Sequence, residues 1–157
     1  MKRWVVFLIY AVLILVMTYP LVFHINTHIP GFFSTDEPFY SIWNNWRIKD
    51  AFINNLSLFH TDLISYPFGV DLYANGVSSI FLLLVIHLFS LLFSPVAAHN
   101  IQILINMFLN ASFAYLLTEY LTRDKKSSIV SGIIFAFSPY QFMRIWQHLG
   151  LTYNQWI

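Results

Sequence analysis

Apolar residues run along this chain in long blocks, and polar residues gather in short clusters between them. The first block covers residues 4–23 and follows Lys2 and Arg3. About 20 apolar residues on a helix match the roughly 30 Å of a bilayer's hydrocarbon core. A span is therefore predicted there, its basic start held in the cytoplasm. A secretory signal peptide also begins basic and then apolar, but with a shorter apolar core and a small-x-small cleavage site. This block closes instead on Met17-Thr18-Tyr19-Pro20-Leu21. Further blocks follow at 77–94, 97–120 and 127–143. Pro95 divides the first two, and Thr122-Arg123-Asp124-Lys125-Lys126 precedes the third.

Residues 24–76 read differently, as a polar, aromatic loop. Within it, 38–54 sets Phe39, Ile42, Trp43 and Trp46 at helical spacing, with Asn44, Asn45 and Arg47 on other faces. That pattern predicts an amphipathic helix in the membrane interface, its tryptophans at headgroup depth. Tyr66-Pro67-Phe68-Gly69 has the residues of a turn, and Asn75-Gly76 is a second breaker.

Charge turns these blocks into a topology. Over 24–96 the acids are Asp36, Glu37, Asp50, Asp62 and Asp71 against only Arg47 and Lys49, a balance suited to the outer side. The basic cluster at 121–126 belongs in the cytoplasm with the N-terminus. An even number of crossings must then separate the two. The longer block, 97–120, is assigned the second crossing and 77–94 becomes a hydrophobic helix packed in the outer half. The alternative makes both blocks crossings and puts Lys125-Lys126 outside. The uncharged block 127–143 is a third crossing, kinked near its outer end by Pro139. Residues 144–157 then form an outer segment. The chain stops at Trp156-Ile157 within another apolar stretch, which predicts the front portion of a longer protein.

Composition agrees with an all-α, polytopic bundle carrying juxtamembrane helices in its first outer loop. Of the 157 residues 58% are hydrophobic and 10% charged, whereas a soluble domain carries about 25% charged residues to keep its surface wet. Sixteen Phe, nine Tyr and five Trp exclude disorder. A net charge of +1 leaves no basic field for nucleic acid. With no cysteine, neither a disulfide scaffold nor a thiolate metal site is available.

Candidate chemistry is sparse. Asp36 and Glu37 are adjacent carboxylates at the start of the interfacial helix, able to deprotonate a hydroxyl or hold a divalent cation. The plainer reading is a helix start: Ser34 to Glu37 has capping-box spacing, Pro38 suits the first turn, and acids favour a helix N-terminus. Gln102, Asn106 and Asn110, with His99 nearby, share one face of 97–120, where such residues hydrogen-bond between helices. Arg144 and His148, four apart, could grip a phosphate, or simply snorkel to the interface. His24 and His28 have metal-binding spacing, but Pro30-Gly31 follows and no third ligand is placed, so loop histidines are expected. His60 reads as a plain loop residue and His87 as a helix contact. No phosphate-cradling glycine loop or nucleophile elbow occurs.

The order of a cytoplasmic start, one span, then an outer loop opening on Asp36-Glu37 resembles the front of glycosyltransferase C superfamily proteins. These polytopic enzymes include protein O-mannosyltransferases, aminoarabinose transferases and oligosaccharyltransferase catalytic subunits. The phrases carrying the resemblance are Phe39-Tyr40-Ser41-Ile42-Trp43-Asn44, Thr61 to Val70, Phe135 to Tyr140, Gln147 to Gly150 and Asn154-Gln155-Trp156. The resemblance implies an inner-membrane enzyme that moves a sugar from a polyprenyl-phosphate donor to an acceptor on the outer face, with inversion. It implies Asp36 as catalytic base or metal-site residue, Glu37 as its neighbour, and Arg144 and His148 near acceptor or lipid phosphate. The later spans of such enzymes are missing, so the chain alone is expected to be inactive. Two rivals remain: a non-catalytic membrane scaffold docking a partner helix on the polar stripe of 97–120, and, less favoured, a transporter.

Overall fold

A computed structural model describes residues 2–31, 36–72 and 88–152. These residues are mostly helical, with one small two-stranded ladder. In order come α1 (Arg3–Met17), a 3-10 turn (Leu21–His24), α2 (Glu37–Asn54), β1 (His60–Thr61), β2 (Val70–Asp71), α3 (Leu88–Leu92), α4 (Pro95–Thr122), α5 (Lys125–Ala136), α6 (Pro139–Gln147) and a second 3-10 turn (Leu149–Thr152). Ser34 of the expected capping box, Asn75-Gly76, most of the 77–94 helix with His87, and residues 153–157 lie outside the described residues.

Local chemistry shortens two of the expected helices. The Thr18 hydroxyl donates back to the Ile14 carbonyl at 2.7 Å, and Pro20 has no N–H to extend the ladder. The block at 4–23 thus holds a helix of 15 residues, about 22 Å long, and then turns. The block at 127–143 is not one kinked helix either. α5 ends at Ala136, and Ser138 caps a new helix by accepting from the Gln141 N–H at 3.3 Å. Pro139 sits in the first turn of α6, where its missing N–H would have had no helical partner anyway. It opens a helix instead of bending one. The loop expected at 121–126 contracts to Arg123-Asp124: Arg123 ends α4 in the left-handed region (φ 57°), and the Asp124 carboxylate accepts from Lys126 and Ser127 N–H groups at 3.1 Å.

Of the described helices, only α4 is long and apolar enough to cross a membrane. Its 28 residues reach about 42 Å. α1 lies antiparallel to it. At one end Arg3 Nε donates to Glu119 at 2.9 Å. At the other, Asn100 Nδ2 donates to the Ile25 and His28 carbonyls, both at 2.8 Å. α5 doubles back along α4 through a stripe of small buried residues at four-residue spacing, Ser128, Gly132 and Ala136. A Cβ on Gly132 would stand 2.6 Å from the Ala111 carbonyl and overlap the Tyr10 side chain. Small residues let helix backbones approach in this way. Two apolar clusters result: Val6, Tyr10, Ala111, Tyr115 and Ala136, then Ile14, Ile103, Met107, Ile145 and Leu149.

α2 is present almost over the predicted range, with an unexpected orientation. Asn45, Arg47, Ile48 and Ala51 are buried, while Phe39, Tyr40, Trp46, Phe52 and Ile53 face outward. Two of its polar residues, Asn45 and Arg47, are thus turned inward beside Ile48 and Ala51. The reason lies in α4, which offers amides and an imidazole instead of an apolar groove.

Candidate functional site

The head of α2 carries the predicted acids. Asp36 precedes the helix with its own side chain capping nothing, and stands exposed. Glu37 opens the first turn and Pro38 is buried beneath it. Across 111 positions of sequence, His148 Nδ1 meets Glu37 Oε2. His148 reaches it because α6 stops there: its N–H bonds the Arg144 carbonyl at 2.6 Å, and its backbone then leaves the helix at φ −146°, ψ 69°. Leu149 and Thr152, buried beyond it, tie this turn down. Two of the four candidate side chains are therefore in contact, and Asp36 is the immediate neighbour of one.

Arg144 does not join them. Its guanidinium lies 5.5 Å from the centroid of the Tyr140 ring, a cation–π contact one turn back along α6. Of the two residues expected near a phosphate, Arg144 is directed to a ring and His148 to a carboxylate. Among the described residues no group of three or more His, Asp and Glu side chains is placed to hold a metal ion, and the Glu37 oxygen is already engaged by an imidazole.

A cavity of about 450 Å³ lies beside the site. Its walls come from Met17 to Leu21 after α1, from Ile103 and Met107 of α4, and from Phe142, Ile145 and Trp146 of α6. His24, His28 and Gly31 close another side. The two imidazoles sit ring to ring with centroids 4.5 Å apart, and His28 Nδ1 is 2.9 Å from Thr27 Oγ1. Gly31 (φ 147°) packs so tightly on the Trp146 carbonyl that a Cβ there would lie 3.0 Å from it. The wall therefore continues from the cavity toward His148, two residues further on.

The polar stripe of α4 is spent inside the protein. Gln102 Nε2 and Ser90 Oγ both donate to Asn45 Oδ1 at 3.1 Å, while Asn45 Nδ2 donates to the Pro95 carbonyl at 3.3 Å. His99 Nδ1 is 2.9 Å from Ser41 Oγ. Asn106 donates to Thr152 Oγ1, and Asn110 to the Thr152 carbonyl at 2.8 Å. These bonds fix α2 and the turn after α6 on the same helix, and so bring Glu37 to His148.

Two features escaped the sequence reading. Arg47, 3% exposed, gives Nη2 to the Ser57 and His60 carbonyls at 2.6 and 2.9 Å. His60 is no plain loop residue: Nδ1 stands 2.8 Å from Asp71 Oδ1 and Nε2 3.1 Å from Asp62 Oδ1. The hydrogen bond to Asp71, then the one to Asp62, raises its pKa above the ordinary 6.5. The pairing His60↔Asp71 arises from strand register, for which two-residue strands leave no periodic signal. At the far end of the molecule the Ser127 hydroxyl, then the Ser127 and Lys126 N–H groups, lower the Asp124 carboxyl.

Compared with known proteins, the chain matches no family model, no curated protein and no solved structure.

Proposed function

We propose that this chain is part of a membrane glycosyltransferase, working at the outer face of the bilayer on a polyprenyl-phosphate sugar. The observation carrying this reading is the Glu37–His148 contact at the head of α2. It fastens one acid of the sequence-predicted pair and leaves Asp36 exposed beside it, near a largely apolar cavity of about 450 Å³. The Arg3–Glu119 ion pair supports the topology, since it keeps the N-terminus at the same end as the C-terminus of α4. In this reading α4 crosses the bilayer, the shorter α1 and α5 lie along it within the membrane, and α2 sits at the outer surface.

In this scheme Asp36 accepts the proton of the acceptor hydroxyl. The acceptor oxygen attacks the anomeric carbon opposite the phosphate, the carbon–oxygen bond to phosphate breaks, and polyprenyl phosphate leaves with the electron pair. The sugar is inverted. Because the donor is confined to the bilayer, its phosphate meets the acid at a fixed depth, and proximity supplies much of the rate. His148 holds Glu37 so that the head of the helix stays in place, and Arg144 supplies a cation on the same element. That His99, Gln102, Asn106 and Asn110 are buried and hydrogen-bonded within the chain favours this reading over a scaffold docking a partner helix on the same stripe.

The test is sugar transfer from a polyprenyl-phosphate donor in membranes carrying the whole reading frame. Asp36→Asn, at an exposed position, is expected to lower transfer about 100-fold or more. Glu37→Gln and His148→Ala should cost less, acting through placement. Unchanged transfer in Asp36→Asn removes the proposed base.

A further inference from the structure

The loop between β1 and β2 holds its largest apolar side chains away from the protein. Leu63 and Ile64 are exposed, and Tyr66 and Phe68 are 84% and 88% exposed. The frame behind them is fixed. Thr61 pairs with Val70 and His60 with Asp71 across the ladder. The His60 ring bridges Asp62 and Asp71. The Phe68 and Gly69 N–H groups donate to the Ser65 carbonyl at 3.0 and 3.2 Å. Gly69 (φ +68°) fits so closely that a Cβ would lie 2.8 Å from His60 Nε2 and 2.9 Å from the Thr61 carbonyl. Below the frame, Arg47 ties the chain to α2. A loop built this firmly cannot fold its tip back onto the protein, so water or another surface must cover it.

We propose that residues 62–68 form a finger whose tip, Leu63, Ile64, Tyr66 and Phe68, sits in the headgroup layer of the outer leaflet. The proposal rests on the reading that the chain is embedded in a bilayer. Three observations choose lipid over a protein partner. From Leu63 to Val70 there is no charge, whereas a protein interface needs a polar rim to match. The nearest charges, Asp62, Asp71 and His60, stand together at the base, where an interfacial element keeps its water. α2, which anchors the finger, turns Phe39, Tyr40, Trp46, Phe52 and Ile53 outward, the same aromatic and aliphatic chemistry.

The chain has no cysteine, so single-cysteine probes are direct. The full chain carrying Phe68→Cys or Tyr66→Cys, labelled with a polarity-sensitive fluorophore, is reconstituted in phosphatidylcholine vesicles with and without nitroxide lipid. Leu117→Cys on α4 serves as the reference for embedding. The finger predicts blue-shifted emission lost to the nitroxide lipid at 66, 68 and 117. Quenching at 117 with water-like emission at 66 and 68 overturns the finger while leaving the membrane reading intact. Shielding at 66 and 68 from both nitroxide lipid and aqueous iodide means a protein surface covers the tip, and also overturns it. No quenching at any of the three sites removes the membrane reading and the finger together.

Discussion

Single residues decide how the polar parts of this chain are held. Asn45 shows why composition misleads: on an aromatic helix it looked like a solvent-facing amide, yet it accepts from Gln102 and Ser90 in the interior. A buried amide is tolerable only when its hydrogen bonds are made, and α3 and α4 together supply them. His60 makes a testable case. Its folded pKa is raised by Asp71 and Asp62, so the bridging ring is fully charged below 6.5 and loses one of its two bonds as pH rises through the raised value. A spin label at Tyr66→Cys should therefore become more mobile with rising pH, with a midpoint above 6.5. Asp71→Asn should move that midpoint down. A flat mobility profile would show that the bridge does not hold the loop. His60 and Asp71 are separate and unremarkable in the sequence; only strand register makes them partners.

At the scale of elements, helix ends were harder to read than helices. The apolar blocks located α1, α4 and α5, because burial and bilayer length both demand long uninterrupted runs. Their limits follow from short-range competition: the Thr18 hydroxyl at the end of α1, Asp124 at the start of α5, Ser138 with Pro139 at the start of α6. These signals are present in the sequence but weak beside hydropathy, which is how 127–143 came to be read as one helix. Ser128, Gly132 and Ala136 likewise carry a small-residue spacing that marks a tight helix contact. Gly132→Ala would push a methyl against the Ala111 carbonyl and Tyr10. It should destabilise the packing of α5 on α1 and α4 by about 1–3 kcal/mol, read as a lower melting midpoint in detergent. An unchanged midpoint would mean the helices are not held at that separation.

The whole molecule is organised around α4. α1 and α5 pack along its apolar sides, and α2 and the turn after α6 are hydrogen-bonded to its polar stripe. α4 exceeds a hydrocarbon core of about 30 Å by roughly 12 Å. In the proposed membrane orientation its first turns, with His99, Asn100 and Gln102, would stand above the core and receive Asn45 and Ser41 of α2, leaving the aromatic side of α2 toward lipid. The proposed orientation has a direct check in intact cells. A cysteine at the exposed Asp36 should react with an impermeant maleimide added outside, and one at Lys125 should not. Labelling of position 36 only from the cytosolic side would end the glycosyltransferase reading, because the acids would be on the wrong face for the donor.

The sequence by itself determined that the chain is helical, where its long helices lie, that α2 is two-faced and that Asp36-Glu37 heads it, because hydrophobic periodicity and charge clusters are local properties. It also isolated Glu37 and His148 as separate candidates. That they touch, that Arg144 turns away to Tyr140, that α2 shows its aromatic side outward and that His60 bridges two carboxylates were decided only by tertiary structure. Each depends on which buried polar group finds its partner across the fold, and hydrogen-bond partners far apart in the chain leave no periodicity to read.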